Sequence, residues 1–394
     1  MRSRWTRLSA WREVRRENWA RHPRRAPSRA ARDCGENGRV TVPTPTEDEI
    51  DTRVLAHVYD VALLDLDGVV YIGASAVHHA PEALLAAREE GMRLAFVTNN
   101  ASRAPEAVAA HLTELGIEAF DGEVVTSAQA AARLLAERLR PGARVLVVGG
   151  DGLRSALDEK GLVPVSSATD APEAVVQGFA PQVDWRALAE GSYAVAQGLP
   201  WIASNADRTI PTQRGIAPGN GALIEVIRAA TGREPVVAGK PEPPMHREAM
   251  LRSGAVRPIV VGDRLDTDIE GAARAGADSL LVFTGVATAA DAVLAPAQAR
   301  PMYLGEDLRA LHLPGASLLV RAGSTRRGAW SAAVDGGVAR LQRSPGDGRE
   351  PAGTASDEVD GLDAVRALCG AVWPSPQPVD PDSVYRALRD AGIE

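Results

Sequence analysis

The sequence predicts an α/β protein built on a parallel β-sheet, with a smaller α+β segment at the end. Short apolar runs alternate with helical segments from about residue 59 to residue 283. Runs that are rich in β-branched residues and lack polar alternation are typical of parallel strands covered on both faces. Acidic and polar residues directly follow several runs, at the strand ends where open α/β sheets carry their sites.

Composition and charge narrow the class of protein. The chain has 394 residues, enough for two or three domains, with 45% hydrophobic and 24% charged residues, as in ordinary globular proteins. The net charge of −7 does not favour a nucleic-acid partner. No apolar run reaches the roughly 18 residues of a membrane-spanning helix, and the N-terminus lacks the apolar stretch of a signal peptide. Two cysteines, Cys34 and Cys369, imply no disulfide framework, so we expect a cytoplasmic protein without a membrane partner.

Changes in composition along the chain predict its domain organisation. The first 32 residues are rich in Arg, and Pro and Thr follow, which indicates disorder. The prediction from composition is a disordered tail at 1–48 and a small C-terminal domain at 314–394.

The predicted elements follow the apolar runs and the turn residues between them. Helices are predicted at 81–90, 105–115, 362–372 and 381–391. Strands are predicted at 59–66, 93–97, 143–148, 174–177, 193–196, 235–238, 258–261 and 279–283. A β-hairpin is predicted from 330–334 and 338–341, because Asp335-Gly336 lies between them.

The first candidate site is Asp65-Leu66-Asp67-Gly68, directly after a buried strand. Residues two apart on a strand point to the same side, so both carboxylates can face one spot. The first can attack phosphorus, and the second can protonate the leaving oxygen and then deprotonate water. Gly68 can let the backbone approach a phosphate closely. An isolated DxDG also fits a turn with solvated acids.

Two further strand ends carry groups suited to phosphate. Thr98-Asn99-Asn100 offers a hydroxyl and backbone N–H groups, although a polar turn before a helix fits it too. Lys240 can offset charge on phosphoryl oxygens. Lysine occurs only at positions 160 and 240, whereas Arg is common; this favours a role that needs a compact ammonium group at Lys240.

A fourth strand end is acidic. Asp263 follows the run at 258–261 and suits a hard cation bound by oxygen. Asp268 can support either that cation or Lys240. Asp266 fits a carboxylate at a helix start as well as a site residue.

In this order, the four strand-end patterns resemble the haloacid dehalogenase (HAD) superfamily over about residues 57–300. Within it, the chain is similar to the NagD and p-nitrophenylphosphatase-like subfamily (HAD-IIA). Residues 65–71 read DLDGVVY, the second motif reads TNN, and about 140 residues separate Asn100 from Lys240. The resemblance implies a discontinuous Rossmann-like core with a parallel sheet at 49–127 and 235–313, an inserted α/β C2a cap domain at 128–234 and a small α+β C-terminal domain.

The resemblance also implies the roles of the candidate residues. Asp65 is the nucleophile, which forms an aspartyl-phosphate, and Asp67 is the general acid and base. Thr98 and Asn99, with Gly68, hold the phosphoryl group. Lys240 binds the phosphate and stabilises the intermediate.

The implied cofactor is Mg²⁺. Asp65, the backbone carbonyl of Asp67 and Asp263 are its expected ligands, and Asp268 supports them. The presence of Asp67 and Asp263 favours phosphoryl transfer over dehalogenation.

Segments of the inserted domain carry the weaker part of the resemblance. TSA at 126–128, SNAD at 204–207 and PGNGAL at 218–223 resemble cap signatures of the subfamily. Asn205 and Asp207 are therefore candidate specificity residues, although a turn after a strand explains them equally well. Members of the subfamily often dimerise through the cap, so a homodimer is expected.

The resemblance implies a small phosphorylated metabolite as substrate. Actinobacterial members with a short C-terminal domain resembling part of an acetyltransferase (GNAT) fold include a glycerol 3-phosphate phosphatase, so glycerol 3-phosphate is the expected substrate. Sugar phosphate and pyridoxal phosphate are alternatives. Two other classes are a catalytically silent phosphate-binding protein and a signalling receiver; the long insertion before Lys240 disfavours the receiver.

Overall fold

A computed structural model describes residues 45–120, 122–212, 214–343 and 361–393. The disorder predicted for 1–48 falls outside these residues except at its end. There, Thr46 caps the helix α1 (Glu47–Thr52): its side chain accepts the N–H of Glu49, and the Glu49 carboxylate accepts the N–H of Thr46. This capping box stabilises the first turn of the helix, so order begins earlier than predicted.

Six parallel strands form the larger sheet in the order β15-β14-β13-β1-β4-β5. Their bounds are β1 Val61–Leu64, β4 Arg93–Thr98, β5 Val124–Thr126, β13 Pro258–Gly262, β14 Asp278–Val282 and β15 Tyr303–Gly305. Every residue of β1 and of β13 is buried. The predicted parallel α/β fold is confirmed, and apolar strands covered on both faces are its physical basis.

Helices and short turns surround this sheet. Two short strands, β2 (Tyr71–Ile72) and β3 (Ser75–Ala76), form a hairpin after β1. The helices are α2 Leu55–Val58, α3 Ala80–Glu89, α4 Pro105–Glu114, α5 Ser127–Ala136, α9 Pro243–Ser253, α10 Glu270–Ala275 and α11 Ala289–Val293. The helices predicted at 81–90 and 105–115 are therefore confirmed.

A second parallel sheet has five strands in the order β12-β9-β8-β6-β7. The strands are β6 Arg144–Val148, β7 Val163–Val165, β8 Ala174–Gln177, β9 Trp201–Ala203 and β12 Val236–Val237. Three helices and a hairpin accompany it: α6 Asp151–Glu159, α7 Trp185–Ala196, α8 Asn220–Thr231, and the pair β10 Thr209–Thr212 and β11 Gly215–Pro218.

Two sequence predictions in this region are wrong. The strand predicted at 193–196 is the end of α7, which Asp184 caps; Leu188, Gly191, Ala194 and Val195 are buried at helical spacing. Strand β12 pairs with β9, so the strand predicted at 235–238, within the core segment 235–313, belongs to the second sheet. Its two residues resemble any apolar strand, and only their long-range pairing decides which sheet they join.

A buried ion cluster connects helices of the two regions. The carboxylate of Glu248, on α9, is fully buried and accepts hydrogen bonds from Arg133 on α5 and from Arg252. Lys160, at the end of α6, lies 3.6 Å from the same carboxylate. Three cations therefore surround one buried acid, and two of them, Lys160 and Arg252, also pair with Glu159. These partners offset the cost of burying the Glu248 carboxylate.

The C-terminal segment forms an antiparallel sheet and three helices. Strands β16 (Arg326–Arg327), β17 (Trp330–Asp335) and β18 (Val338–Arg343) follow the helix α12 (Gly315–Leu318), and α13 (Asp363–Val372) and α14 (Pro381–Asp390) end the described chain. The predicted hairpin and final helices are confirmed. Leu368 and Trp373 pack in one apolar cluster with Leu281 and Val293 of the larger sheet's layer, so this segment shares the core. The acetyltransferase-like resemblance stays a prediction.

Among the described residues, none of the helices is long and apolar enough to cross a membrane.

Candidate active site

Three neighbouring strands bring the predicted site residues to one edge of the larger sheet. Strand β1 lies between β13 and β4, in parallel register with both. Asp65 and Asp263 directly follow β1 and β13, and Thr98 ends β4. Because carboxyl ends of parallel strands meet at one edge, the residues that the sequence placed at strand ends converge there.

Lys240 is the cation at the centre of this edge. Its side chain is buried, with 5% of the residue exposed. The ammonium nitrogen donates to Asp65 Oδ1, to Asp268 Oδ1 at 2.7 Å and to the carbonyl of Val97 at 3.3 Å. All three N–H groups of Lys240 therefore have acceptors, which fixes the charge against Asp65.

Three carboxylates surround the same point. Asp65, Asp263 and Asp268 each offer an oxygen within 4.8 Å of the others. Asp263 Oδ2 accepts the N–H of Val286 at 2.7 Å, but Asp263 Oδ1 is buried and has no hydrogen-bond partner among the described residues. Asp268 is already occupied by Lys240 and by the N–H of Arg264. An oxygen-only donor set with one orphaned buried carboxylate oxygen fits a hard divalent cation bound by Asp65 and Asp263.

The crowding of these groups shifts their pKa values. Burial, with the nearby Asp268 carboxylate, raises the pKa of Asp263 to about 6. Burial also raises the pKa of Asp268 to about 6, against the lowering effect of Lys240. Burial alone would lower the pKa of Lys240, but Asp268 and Asp65 raise it above its ordinary value, so the lysine is charged. The site holds more negative charge than its one lysine neutralises.

Asp67 is the acid on the solvent side of the site. Its side chain is exposed. Desolvation raises its pKa, against the lowering effect of Lys240, Arg103 and His111. A raised pKa favours a carboxyl group that gives up and takes back a proton.

Gly68 and Thr98 both lie at the predicted strand ends, and the structure shows which groups each of them contacts. Gly68 has φ +90°, and a Cβ there would come within 2.5 Å of Asp263 Oδ2. Its N–H bonds the carbonyl of Tyr71 at 2.8 Å, so the close approach that requires glycine is to Asp263. Thr98 Oγ1 accepts the N–H of Asn100 at 3.1 Å, and its hydroxyl proton can be donated to a ligand.

Asn99, Asn205 and Asp207 form a hydrogen-bonded group beside Lys240. The side chain of Asn99 bonds the backbone of Lys240 and lies 3.3 Å from Asp207 Oδ2. Asn205 donates to the carbonyl of Asn99 at 2.7 Å, and its own carbonyl accepts from Asn220 at 2.7 Å. Asp207 thus reaches the edge of the site, whereas the side chain of Asn205 links backbone segments.

The structure adds residues that sequence reasoning missed. His111 packs edge-on against Tyr71, with ring centroids 5.3 Å apart, near Asp67. Arg264 pairs with Asp266 at 2.8 Å. Tyr71 and Arg264 lie inside the motifs DLDGVVY and GDxxxTD, which could have drawn attention to them; His111 had no such signal.

Comparisons with known proteins agree with this geometry. Residues 62–163 match the family described as haloacid dehalogenase-like hydrolase, and residues 237–311 match a family described as HAD-hydrolase-like. The D-glycerol 3-phosphate phosphatase of Mycobacterium tuberculosis is 46% identical over 324 residues, which cover 82% of this chain and 88% of the relative. The chain belongs to the haloacid dehalogenase-like hydrolases.

Solved structures of this family superpose on the chain. The glycerol phosphate phosphatase of M. tuberculosis in complex with magnesium gives a TM-score of 0.77 at 43% identity, covering 87% of this chain and all of that one. The p-nitrophenyl phosphatase of Archaeoglobus fulgidus gives 0.59 at 30% identity, covering 64% of this chain and 98% of that one. The predicted superfamily and NagD-like subfamily are confirmed, and the chain is a phosphatase.

Proposed function

We propose that this phosphatase hydrolyses glycerol 3-phosphate, or a polyol phosphate of similar size, with Mg²⁺ and through a phosphoryl intermediate on Asp65. The substrate rests on the 46% identity to an enzyme named for D-glycerol 3-phosphate. The chemistry rests on one observation, the buried Lys240 ammonium that bonds both Asp65 and Asp268 beside the unpaired oxygen of Asp263.

In the first step, an oxygen of Asp65 attacks phosphorus as the bond from phosphorus to the glycerol oxygen breaks. Asp67 gives its proton to that oxygen, so glycerol leaves as a neutral alcohol. The charge of Lys240, held beside Asp65, offsets the negative charge that spreads over the phosphoryl oxygens, and the hydroxyl of Thr98 can donate to one of them.

In the second step, Asp67, now ionised, takes a proton from water, and the water oxygen attacks phosphorus. The bond to Asp65 breaks, and the Asp65 carboxylate and inorganic phosphate are restored. Asp67 ends protonated, as it began, so the cycle is balanced. Lys240 also faces the carboxylate that is regenerated, which favours its departure.

Mg²⁺ belongs to the same site. Asp65 and Asp263 would hold the ion through their carboxylates, and Asp67 through its backbone carbonyl, while Asp268 keeps Lys240 in place. When bound, the ion supplies positive charge that offsets the carboxylates and the phosphoryl group.

The second sheet, with α7, α8 and the β10–β11 hairpin, is proposed as the cap over this site. Asp207 lies two residues before the start of β10 and reaches Asn99 in the site. Asp207 is therefore proposed to contact the polar part of the substrate, with Asn205 fixing the loop that carries it. A small polyol phosphate can reach Asp207 only if the cap lies close to the catalytic residues.

The proposal is tested by phosphate release from purified protein with a panel of phosphomonoesters: glycerol 3-phosphate, sugar phosphates, 5′-nucleotides and pyridoxal phosphate. Each is measured with Mg²⁺ and with EDTA. We expect metal-dependent release with the highest kcat/KM for glycerol 3-phosphate. A preference for another ester would contradict the substrate but keep the chemistry, and release that EDTA does not affect would contradict the metal.

A homodimer and a cytoplasmic location stay predictions. Two aromatic side chains on α7 are exposed, Trp185 at 73% and Tyr193 at 55%, and such side chains are enriched in protein interfaces. Light scattering after gel filtration should give twice the chain mass of 41.5 kDa. The monomer mass would contradict the dimer.

A further inference from the structure

Asn99 uses nearly all of its polar atoms on the protein. Its side-chain oxygen accepts the N–H of Lys240 at 2.8 Å, and its side-chain nitrogen donates to the carbonyl of Lys240 at 3.2 Å. Its own carbonyl accepts from Ser127 Oγ at 2.6 Å and from Asn205 at 2.7 Å. A side chain so engaged is not free to grip a phosphoryl oxygen.

The two bonds to Lys240 resemble one rung of a β-ladder. The amide of Asn99 pairs with both the donor and the acceptor of the Lys240 backbone, across 141 residues of sequence. The approach is tight: a Cβ on Gly239 would lie 2.6 Å from Asn99 Oδ1. The amide of Asn99 therefore fixes the position of the Lys240 backbone. This in turn sets the position of the side-chain nitrogen, which bonds Asp65 and Asp268.

The second hydrogen of the Asn99 side-chain amide is directed at Asp207, which lies in the region of the second sheet. The nitrogen lies 3.3 Å and 3.4 Å from the two carboxylate oxygens of Asp207. Burial raises the pKa of Asp207, and Arg264 and Lys240 partly oppose this. Because an amide can present either its oxygen or its nitrogen to Lys240, an acceptor on the nitrogen side selects the observed orientation.

We propose that Asn99 is a positioning residue, which holds the catalytic Lys240 through its backbone and is itself oriented by Asp207. Asp207 and Lys240 are then coupled through one amide, so the placement of the loop before β10 is transmitted to the lysine. The kinetic part of this inference rests on the proposed function, but the position of Lys240 can be measured without any substrate.

The first test uses the scarcity of lysine. Protein labelled with ¹³C at the lysine ε carbon gives two NMR signals, from Lys240 and Lys160. We expect Asn99→Ala to shift or broaden the Lys240 signal and leave the Lys160 signal in place, with EDTA and with Mg²⁺. Asn100→Ala is the matched control, because that side chain bonds Ser102 instead, at 2.6 Å and 2.9 Å. A Lys240 signal that Asn99→Ala leaves unchanged would overturn the proposal.

Because Asn99→Ala could prevent folding, the second variant is Asn99→Asp, whose side chain has the same shape as asparagine. Asn99→Asp keeps an acceptor for the Lys240 N–H but loses both donor contacts and places a carboxylate against Asp207. We expect the Lys240 signal to move in this variant also. In the double variant Asn99→Asp with Asp207→Asn, the new amide supplies a donor, so the signal should return part of the way to its wild-type position. Failure of Asp207→Asn to alter the signal would remove Asp207 from the proposal.

The second test asks whether Asn99 acts through Lys240 or on the substrate. Misplacement of a catalytic group by about 1 Å can cost about 100-fold in rate, so we expect Asn99→Ala to lower kcat by about 10- to 100-fold. In a Lys240→Met background the same change should cost less than about twofold, because coupled residues are not additive. Losses that multiply would place Asn99 on the substrate instead. If no substrate is turned over, the proposed function fails while the NMR result still stands.

Discussion

The buried carboxylate of Asp263 should destabilise the metal-free protein, and Asp263→Asn should relieve that cost while removing the metal site. Asp263 is fully buried, and one of its oxygens has no partner among the described residues; burial, with the nearby Asp268, raises its pKa from an ordinary value of 3.8 to about 6. At about 1.4 kcal/mol per pH unit, this difference means that ionised Asp263 costs the folded state about 3 kcal/mol.

The sign of the pH dependence follows from where the proton binds more tightly. The folded state binds the Asp263 proton more tightly than the unfolded chain does. The free-energy cost of ionised Asp263 is therefore absent below pH 3.8, grows toward about pH 6 and is constant above that pH. Asparagine has the same shape and no charge, but its amide is also incompletely paired. The net gain in unfolding free energy at pH 7 should therefore be about 1 to 3 kcal/mol.

The assay is thermal and denaturant unfolding of wild type and Asp263→Asn at pH 5 and pH 7, with EDTA and with Mg²⁺. In EDTA at pH 7 the variant should unfold at a higher temperature, by about 2–4 °C for each kcal/mol in domains of about 150–250 residues. Mg²⁺ at about 100 times its dissociation constant should stabilise the wild type by about 2.7 kcal/mol and the variant by almost nothing. Some pH dependence will remain, because the pKa of Asp268 is raised in the same direction.

The exposed Asp158 supplies the control, since Asp158→Asn makes the same chemical change outside the site. That variant should match the wild type in all four conditions. A variant of Asp263 that is less stable than wild type in EDTA at pH 7, or that keeps the Mg²⁺ stabilisation, would refute the reasoning.

Other predictions concern the chemistry, the buried ion cluster and the N-terminal tail. Asp65→Asn should abolish turnover with an unchanged circular dichroism spectrum; retained turnover would contradict the nucleophile. Asp67→Asn should slow glycerol 3-phosphate hydrolysis far more than p-nitrophenyl phosphate hydrolysis, because p-nitrophenolate leaves without a proton; equal losses with both esters would argue against an acid. Glu248→Ala should lower the free energy of unfolding by about 2–3 kcal/mol, because it removes the charged hydrogen bonds from Arg133 and Arg252, while Glu159 remains as a partner for Arg252 and Lys160; a loss below about 1 kcal/mol in denaturant titration would mean that the cluster is hydrated. Removal of residues 1–32 should leave kcat and KM unchanged; a large fall in kcat would give the tail a function.

The sequence alone determined the parallel α/β core and the strand ends that carry the site. Asp65, Thr98 and Asp263 each follow an apolar run within a few residues, so a local pattern locates them. Once the sheet is parallel, its geometry brings their strand ends together. The helices on either side were predictable for the same reason, because helical periodicity and stop signals are local.

Only the tertiary structure decided which groups are partners. The amide of Asn99 meets Lys240 141 residues away, Glu248 meets Arg133 115 residues away, and Gly68 passes Asp263. Strand β12 joins the second sheet rather than the first for a similar reason. Each of these outcomes depends on long-range packing and on burial, which create the cost of an unpaired polar group and so select its partner. No pattern within a few residues of Asn99 or Glu248 carries that information.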